Sequence, residues 1–287
     1  MNASLLVIGD VIDDIIVVPE HAIRPNTDTN ARIEKTLGGS AANVAAWAAS
    51  SGASVTFIGC IGRDDLARNE SNFAAAGVSA HLQVSDRATG SIVVLVDGDS
   101  RSMLTDRGAN QDLNLDLIDT ELTQAKIVYL SGYALLGKSV ESVVGLIERA
   151  HEHGALVAVD PGSTGYIEDY GVERYRELLK HVDVCFPNLE EAELLRLEGQ
   201  LPLLVVTDGE RGATAHIGEG VELKALGLTV TSVDPTGAGD AFCGAFLAKF
   251  AESGAALGDP AAIERALDAG VAAGAAAVTT LGARPSL

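Results

Sequence analysis

Cysteines and basic side chains are both scarce in this sequence, and each shortage excludes a class of protein. The 3 cysteines, Cys60, Cys185 and Cys243, lie far apart, and neither a CxxC pair nor a Cys/His metal spacing occurs, which argues against structural zinc. The chain carries 20 Lys and Arg against 40 Asp and Glu. That excess of acid argues against nucleic acid and anionic membranes as partners. It does not exclude a small anionic ligand held by local NH groups.

Long hydrophobic runs are missing as well. The first apolar run covers only residues 5–8, and no basic segment precedes it, so a signal peptide is not expected. The Ala/Gly-rich stretch at 270–281 is the longest without polar breaks, but it is too weakly hydrophobic to span a bilayer. An odd, sparse set of cysteines suits a reducing compartment. We therefore expect a cytoplasmic protein.

The sequence does contain enough apolar material for a core, since 47% of its 287 residues are hydrophobic. From residue 113 onward, strand-like apolar runs alternate with helical patterns. This alternation predicts an α/β fold with a doubly wound, mostly parallel sheet flanked by helices. The stretch 81–106 has no helical pattern, and Asp97-Gly98 between two extended runs indicates a hairpin. Together with residues 11–37, it is expected to form a small separate β-sheet.

The strongest local feature is a glycine-rich turn, Gly237-Ala238-Gly239, that leads through Asp240 into a helical pattern. Small residues let a ligand approach the backbone, and the NH groups at a helix N-terminus favour an anion. A carboxylate beside an anion site is typical of a group that takes a proton from an attacking hydroxyl. On physical grounds alone, a plain turn with Asp240 as helix cap explains these residues equally well.

A second glycine-rich turn, Gly38-Gly39, leads into another helical pattern that contains Asn43. The Asn43 amide offers both a donor and an acceptor for a sugar hydroxyl, although an ordinary strand-to-helix turn has the same composition. Neither turn fits GxxxxGK[ST] or GxGxxG. The sequence therefore argues against a P-loop NTPase and an NAD-dependent dehydrogenase.

These two turns carry a resemblance to the PfkB (ribokinase-like) carbohydrate kinases. Residues 38–45, followed by Gly52 and Gly62, match the first family signature, and residues 234–247 match the second. The resemblance implies an ATP-dependent kinase that phosphorylates a hydroxyl of a small sugar. It also implies two units, a core of residues 1–10, 38–78 and 108–287 and a β lid of residues 11–37 and 79–107. Lids of this kind often pair between subunits, which makes a homodimer an expectation.

The resemblance also implies roles for individual residues. Asp240 would be the general base, and the NH groups of the 237–239 turn would form an anion hole. The other implied groups are substrate-binding residues Asp14, Gly38, Gly39, Asn43 and Asp240, nucleotide-binding residues Asn188, Thr207, Gly209 and Gly212, Glu191 for Mg²⁺ through water, and Asp234, Thr236, Gly282 and Ser286 for a monovalent cation such as K⁺. ATP and Mg²⁺ are the implied cofactors.

The acceptor is less well defined, because the sequence departs from several branches of the family. Ser40 stands where ribokinases have Lys, and residues 160–165 lack the DxNxRxxLW pattern of ketodeoxygluconate kinases. Arg107 is expected to pair with a surface acid rather than with an anionic substrate. The presumed lid contains no Phe, Tyr or Trp for a nucleobase. A neutral sugar is the first choice. A nucleoside, a 2-keto-3-deoxygluconate-type sugar acid and a non-catalytic sugar-binding role are the alternatives.

Overall fold

The computed structural model describes residues 4–97, 100–218 and 220–285, and strands alternate with helices along most of the chain. The strands are β1 (Ser4–Ile8), β2 (Ile12–Pro19), β3 (Ala31–Gly38), β4 (Ser54–Gly62), β5 (Ser79–Ser85), β6 (Gly90–Asp97), β7 (Ser100–Asp106), β8 (Ile127–Ser131), β9 (Leu156–Asp160), β10 (Val184–Cys185), β11 (Leu203–Thr207), β12 (Gly212–Ile217) and β13 (Val221–Leu226). The helices are α1 (Ser40–Ser50), α2 (Leu66–Ala75), α3 (Asp119–Leu122), α4 (Gly132–Leu135), α5 (Val140–Glu152), α6 (Thr164–Tyr170), α7 (Val172–Leu179), α8 (Leu189–Leu195), α9 (Ala238–Glu252) and α10 (Pro260–Ala277). Among the described helices, none has the length and hydropathy needed to cross a bilayer.

A large sheet of nine strands runs in the order β13-β12-β11-β10-β9-β8-β1-β4-β5. The strands from β11 to β5 pair in parallel, while β12 and β13 form an antiparallel hairpin at one edge. The predicted doubly wound, mostly parallel α/β sheet is thereby confirmed.

The central strand β1 shows why the sequence forms this sheet. Leu5 and Val7 pack into one hydrophobic core, with side chains of α1, α9 and α10. Leu6 and Ile8 pack into a second core on the opposite face, with side chains of α5 and α7. A parallel strand covered on both faces needs an unbroken apolar run, and β1 has one.

The small separate sheet is also confirmed, in the order β3-β2-β6-β7. Residues 79–85 were predicted to belong to this sheet, and that part of the prediction is wrong. They form β5, which pairs in parallel with β4, and Ala80 and Leu82 pack against the core of the large sheet. The sequence of this stretch showed only that it is not helical, and that does not decide which of the two sheets β5 joins. Of the predicted hairpin turn, Gly98 and Asp99 lie outside the described residues.

The packing of α1 against α9 places two helix N-termini at one edge of the large sheet. A Cβ on Gly244 of α9 would lie 2.7 Å from the main-chain oxygen of Val44 in α1, so the close approach of the helices requires glycine there. The carboxyl ends of parallel strands β1, β8, β9 and β11 meet at the same edge. In open α/β sheets this edge is where ligands bind.

Candidate active site

Asp240 lies in the first turn of α9 and is held by two side chains of α1. Its Oδ1 accepts a hydrogen bond from the Ser40 hydroxyl at 2.7 Å, and its Oδ2 accepts one from the Asn43 amide at 2.9 Å. Gly237, and not Asp240, occupies the N-cap position of α9. The alternative in which Asp240 only caps its helix is therefore wrong. Asp240 and both donors line a cleft of about 620 Å³.

The surroundings of Asp240 make its carboxylate more basic than usual. Burial raises the pKa of Asp240 to about 7, and the hydrogen bonds from Asn43 and Ser40 oppose this rise only in part. The carboxylates of Asp10 and Asp14 raise the pKa further by repulsion. A group whose pKa lies near neutrality is well matched to accept a proton at physiological pH.

The turn before Asp240 depends on Gly237. Its φ of +77° favours glycine, and an added Cβ would lie 2.6 Å from the Ala283 Cβ. The amides of a first helical turn have no acceptor within their own helix. The Ala238 amide contacts the Pro235 carbonyl at 3.4 Å, a long bond. The anion hole predicted for residues 237–239 would use the amides of this turn.

Asp10, at the carboxyl end of β1, holds the start of α1 in place. It is 6% exposed and accepts hydrogen bonds from the amide of Ser40 at 2.8 Å and of Ala41 at 3.3 Å, and from the hydroxyl of Ser131 at 2.8 Å. Gly39, with φ +94°, makes the turn that brings these amides to Asp10. No role was predicted for Asp10 from the sequence. A short polar side chain directly after a buried strand was the signal that could have found it.

The structure separates the two aspartates of β2. Asp14 lines the cleft, and a Cβ on Gly38 would collide with its carboxylate, so Gly38 makes room for Asp14. Burial raises the pKa of Asp14 to about 6, although Arg284 opposes the rise. Asp13 instead forms a two-pronged ion pair with Arg68 of α2, both contacts being 2.8 Å. Only Asp14 is thus placed to meet a ligand in the cleft.

At the start of α8, Asn188 and Glu191 form a reciprocal capping box that also lines the cleft. The Asn188 main-chain and side-chain NH groups donate to the two Glu191 carboxylate oxygens at 2.9 and 2.7 Å, and the Glu191 amide returns a bond of 3.0 Å to Asn188. Glu191 is 3% exposed, and burial raises its pKa to about 7. Asn188 and Glu191 therefore both start α8 and face the cleft in which the resemblance implies a role for them.

A second cavity, of about 780 Å³, adjoins the cleft. Thr207, Pro235, Ala238 and Gly239 line both spaces, so the first turn of α9 lies at their junction. Gly209 and Gly212 line only the second cavity. With φ +101°, Gly212 is also required by the hairpin, because an added Cβ would collide with the Ala225 carbonyl.

Three of the four residues predicted to hold a monovalent cation lie together below the α9 turn. Asp234 is 4% exposed, and its Oδ1 accepts bonds from the Thr236 amide at 3.1 Å and hydroxyl at 2.7 Å. The Gly282 amide donates to the other carboxylate oxygen at 3.2 Å. Ser286 lies outside the described residues.

Arg284, which the sequence left without a role, reaches the same region from the segment after α10. Its Nε donates to the Asn43 Oδ1 at 3.2 Å, and its Nη2 donates to the Gly38 carbonyl at 3.0 Å. Burial lowers the pKa of Arg284 to about 10 while nearby carboxylates oppose that change, Asp14 first among them. The side chain therefore stays charged at neutral pH.

The expectation that Arg107 pairs with a surface acid is wrong. Arg107 lines the cleft and donates to two main-chain carbonyls, of Leu136 at 3.1 Å and of Tyr133 at 2.5 Å. Burial lowers the pKa of Arg107. Beside it, the rings of Tyr133 and Tyr166 meet edge to face with centroids 4.9 Å apart, and both rings line the cleft. No short-range pattern pointed to this aromatic wall, because its members come from two different helices, α4 and α6.

Within residues 4–97, 100–218 and 220–285, no cluster of three His, Cys, Asp or Glu side chains is arranged to hold a metal ion. A Mg²⁺ that binds mainly to phosphate and water needs no such cluster. The Asn188–Glu191 pair therefore fits only a metal that keeps its water ligands.

Comparison with known proteins agrees with this geometry. Residues 2–287 match the family described as pfkB family carbohydrate kinase. Ribokinase of Haemophilus influenzae is 28% identical over all of this chain and 96% of its own length, and the ATP-dependent ribose-1-phosphate kinase of Halopiger xanaduensis is 31% identical over 91% of this chain and 87% of its own. Both comparisons thus extend over nearly full chains.

Solved structures share the fold. An adenosine kinase from Sinorhizobium meliloti has a TM-score of 0.86 at 24% identity and covers 100% of this chain and 96% of its own. A ribokinase II from E. coli, described as putative and in complex with ATP and Mg²⁺, has a TM-score of 0.83 at 24% identity, with coverages of 99% and 94%.

Proposed function

The chain belongs to the pfkB family of carbohydrate kinases, and we propose that it transfers the γ-phosphoryl group of ATP to a hydroxyl of a small sugar. The observation that carries the proposal is the position of Asp240. Ser40 and Asn43 hold its two carboxylate oxygens in the first cavity, directly after Ala238 and Gly239, which line both cavities. The first cavity would hold the acceptor and the second the nucleotide.

In this proposal Asp240 removes the proton from the acceptor hydroxyl as its oxygen attacks the γ-phosphorus. The new oxygen–phosphorus bond forms while the bond to the β-phosphate bridging oxygen breaks, and ADP leaves. The NH groups of residues 237–239 face the negative charge of the transferred group, and the α9 dipole adds to their effect. Asp14 and Asn43 would orient the acceptor by accepting and donating hydrogen bonds.

ATP would arrive with Mg²⁺, whose chemistry is to neutralise phosphate charge. Both Glu191 oxygens already accept bonds from Asn188, so these residues would hold such an ion through its water ligands. Thr207, Gly209 and Gly212 would contact the nucleotide. We also propose that a monovalent cation such as K⁺ binds near Asp234, Thr236 and Gly282. Its positive charge, close to the first turn of α9, would support the anion hole. Because ATP is consumed, the proposed location is the cytoplasm.

The small sheet is proposed to act as a lid. Ile12, Ile92 and Met103 project from it into the cleft lining, where closure would exclude water from the transferred group. The opposite face of the same sheet exposes Ile33 and Leu104, which are 62% and 64% accessible. We propose that this apolar surface pairs with a second copy, and the molar mass in solution tests that pairing.

A neutral sugar suits the polar end of the cleft, where Asp14, Asn43 and Asp240 gather. A nucleoside is the second candidate, because the Tyr133–Tyr166 wall offers a surface on which a planar base can stack. A sugar acid is less favoured, since the Arg107 guanidinium already donates to two carbonyls. A purely regulatory sugar binder would have no need for a proton acceptor at Asp240.

ADP release in the presence of ATP and Mg²⁺ tests the function across neutral sugars, nucleosides and sugar acids. One acceptor that gives ADP release and a phosphorylated product by mass spectrometry would support the proposal and name the class. If binding of a sugar occurs without any acceptor being phosphorylated, the kinase proposal is wrong and the regulatory alternative holds.

We expect turnover to fall as the pH drops below about 7, because Asp240 must be ionised to accept a proton and its pKa is raised to about 7. Well below that value, kcat should fall about tenfold per pH unit. The acceptor KM should rise separately below about pH 6, where Asp14 becomes protonated. Steady-state kinetics from pH 5 to 9 measure both the fall in kcat and the rise in acceptor KM. A kcat that stays constant from pH 7 down to 5 would contradict the assignment of Asp240 as base.

Substitution of Asp14 by asparagine should raise the KM of the acceptor by about 10-fold or more and leave the KM of ATP nearly unchanged. The loss of a charged acceptor of hydroxyl hydrogen bonds costs about 1.5–3 kcal/mol. Asp13→Asn is the matched control, since Asp13 is turned towards Arg68, and its acceptor KM should stay close to that of the wild type. If the KM of the acceptor and the KM of ATP rise equally in Asp14→Asn, the assignment of Asp14 to the acceptor site is wrong.

A further inference from the structure

Arg284 makes the only contacts in the site that join the segment after α10 to the side chains holding Asp240, among the residues the structure describes. It does not appear among the described residues that line either cavity. Its two hydrogen bonds go to Asn43 and to the Gly38 carbonyl. Its hydrogen bonds therefore act on the site through α1 and the turn before it, while its charge also acts on nearby carboxylates.

The contact with Asn43 decides which way the amide faces. A side-chain amide has an acceptor oxygen on one side and a donor nitrogen on the other. Because the Arg284 Nε donates to the Asn43 Oδ1 at 3.2 Å, the Nδ2 group is turned towards the Asp240 Oδ2 at 2.9 Å. A reversed amide would place its oxygen against the carboxylate and its NH₂ group against the guanidinium, and both contacts would be repulsive.

The charge of Arg284 also helps to hold its side chain in the orientation that contacts Asn43. Its guanidinium attracts the carboxylates of Asp14 and Asp240, and its Cζ lies 5.5 Å from the centre of the Phe73 ring. Apolar packing on one side and carboxylates on the other hold this cation in one orientation. The planar guanidinium gives two donors at a fixed angle, which the flexible ammonium of a lysine does not.

We propose that Arg284 is a positioning residue that fixes the Asn43 amide, so that the amide donates to Asp240 and holds the general base ready for the acceptor. This proposal rests on the function proposed above for Asp240. It assigns to the segment after α10 a part in catalysis that is separate from the cation-binding role proposed for Gly282.

The chain contains a matched control for simple docking of that segment. The indole Nε1 of Trp47 donates to the Ala283 carbonyl at 3.0 Å. Trp47→Phe removes this bond one residue before Arg284 and keeps an aromatic ring, although a smaller one, at that position. If Arg284 served only to dock the segment, loss of either bond would have the same kind of effect.

The deciding test follows the titration of Asp240 by ¹³C NMR of labelled aspartate carboxyls, with the signal identified by its loss in Asp240→Asn. Arg284→Met should move the Asp240 titration and the acidic limb of kcat to higher pH, because a donor to the ionised form is lost. It should also lower kcat by about 10- to 100-fold, as expected for a misplaced catalytic group. Arg284→Lys should keep the charge, restore only part of kcat, and serve as the folded variant if the methionine variant is unstable.

The other titratable groups that face Asp240 are not substituted in these variants, but the pKa of Asp14 should itself rise when Arg284 is lost, so the Asp14 carboxyl signal is followed beside that of Asp240. Those groups are Asp10 after β1, Asp14 on β2, Tyr129 on β8, Tyr133 on α4, Asp160 at the end of β9, and Cys243 on α9. Trp47→Phe should leave the Asp240 titration where it is. In an Asn43→Ala background, Arg284→Met should add little further loss, because residues acting in one network are not additive.

An unchanged Asp240 titration in Arg284→Met, or full additivity with Asn43→Ala, would overturn the positioning role. The NMR titration needs no turnover and therefore separates this proposal from the kinase proposal. If no acceptor is phosphorylated but the titration moves as expected, the proposed function is wrong while the coupling of Arg284 to Asp240 stands.

Discussion

Asp240→Asn should lower kcat by about 100- to 10,000-fold, the range usual for loss of a general base. The asparagine side chain has the same shape but cannot take the hydroxyl proton. It can keep both contacts made by Asp240, because its oxygen can accept from Asn43 and its NH₂ group can donate to the Ser40 hydroxyl, which rotates. We therefore expect the fold and the affinity for the acceptor to change little. Single-turnover phosphorylation and calorimetric binding of the acceptor measure the two effects separately.

Asp259→Asn provides the control for an acid-to-amide change at a helix start. Asp259 caps α10 by accepting hydrogen bonds from the Ala261 and Ala262 amides at 3.1 and 3.2 Å, and asparagine caps a helix as well as aspartate does. Its turnover should match that of the wild type. Full activity in Asp240→Asn would instead mean that another group accepts the proton.

The sequence predicted the parts of the fold that depend on local patterns. The alternation of apolar runs and helices predicted the large sheet, and the two glycine-rich turns placed Ser40, Asn43 and Asp240 at helix starts. Those local patterns did not decide which sheet residues 79–85 join. That choice depends on pairing with β4 and on burial of Ala80 and Leu82 against distant residues.

The missed features of the site arise from contacts between distant parts of the chain. Arg284 reaches Asn43 across 241 positions of sequence, and nothing around Arg284 distinguishes it from a surface arginine. Arg107 was expected to bind an acid because sequence patterns reveal charges more readily than main-chain acceptors. In the fold it meets two carbonyls instead, which belong to α4 and to the residue directly after it.

Gly237→Ala should lower kcat by about 100-fold or more, because the first turn of α9 would have to move. An alanine Cβ would lie 2.6 Å from the Ala283 Cβ, 2.8 Å from its Cα and 2.9 Å from its carbonyl oxygen. Main-chain atoms cannot rotate away as a flexible side chain can, so either the turn or the segment carrying Arg284 must shift. Loss of one well-placed anion-hole donor costs about 100- to 1,000-fold in other enzymes.

An alanine at positive φ is strained even where it displaces nothing. Gly77→Ala is the control that separates this strain from the displacement of the α9 turn in Gly237→Ala. Gly77 has φ +73°, close to the +77° of Gly237, but a Cβ there would meet nothing within 4 Å. Both variants should lose about 1–2 kcal/mol of unfolding free energy from backbone strain, measured by urea denaturation. Only Gly237→Ala should also lose turnover. If both variants keep wild-type kcat, the amides of the 237–239 turn do not form the anion hole, and the charge of the transferred group must be met elsewhere in the cleft.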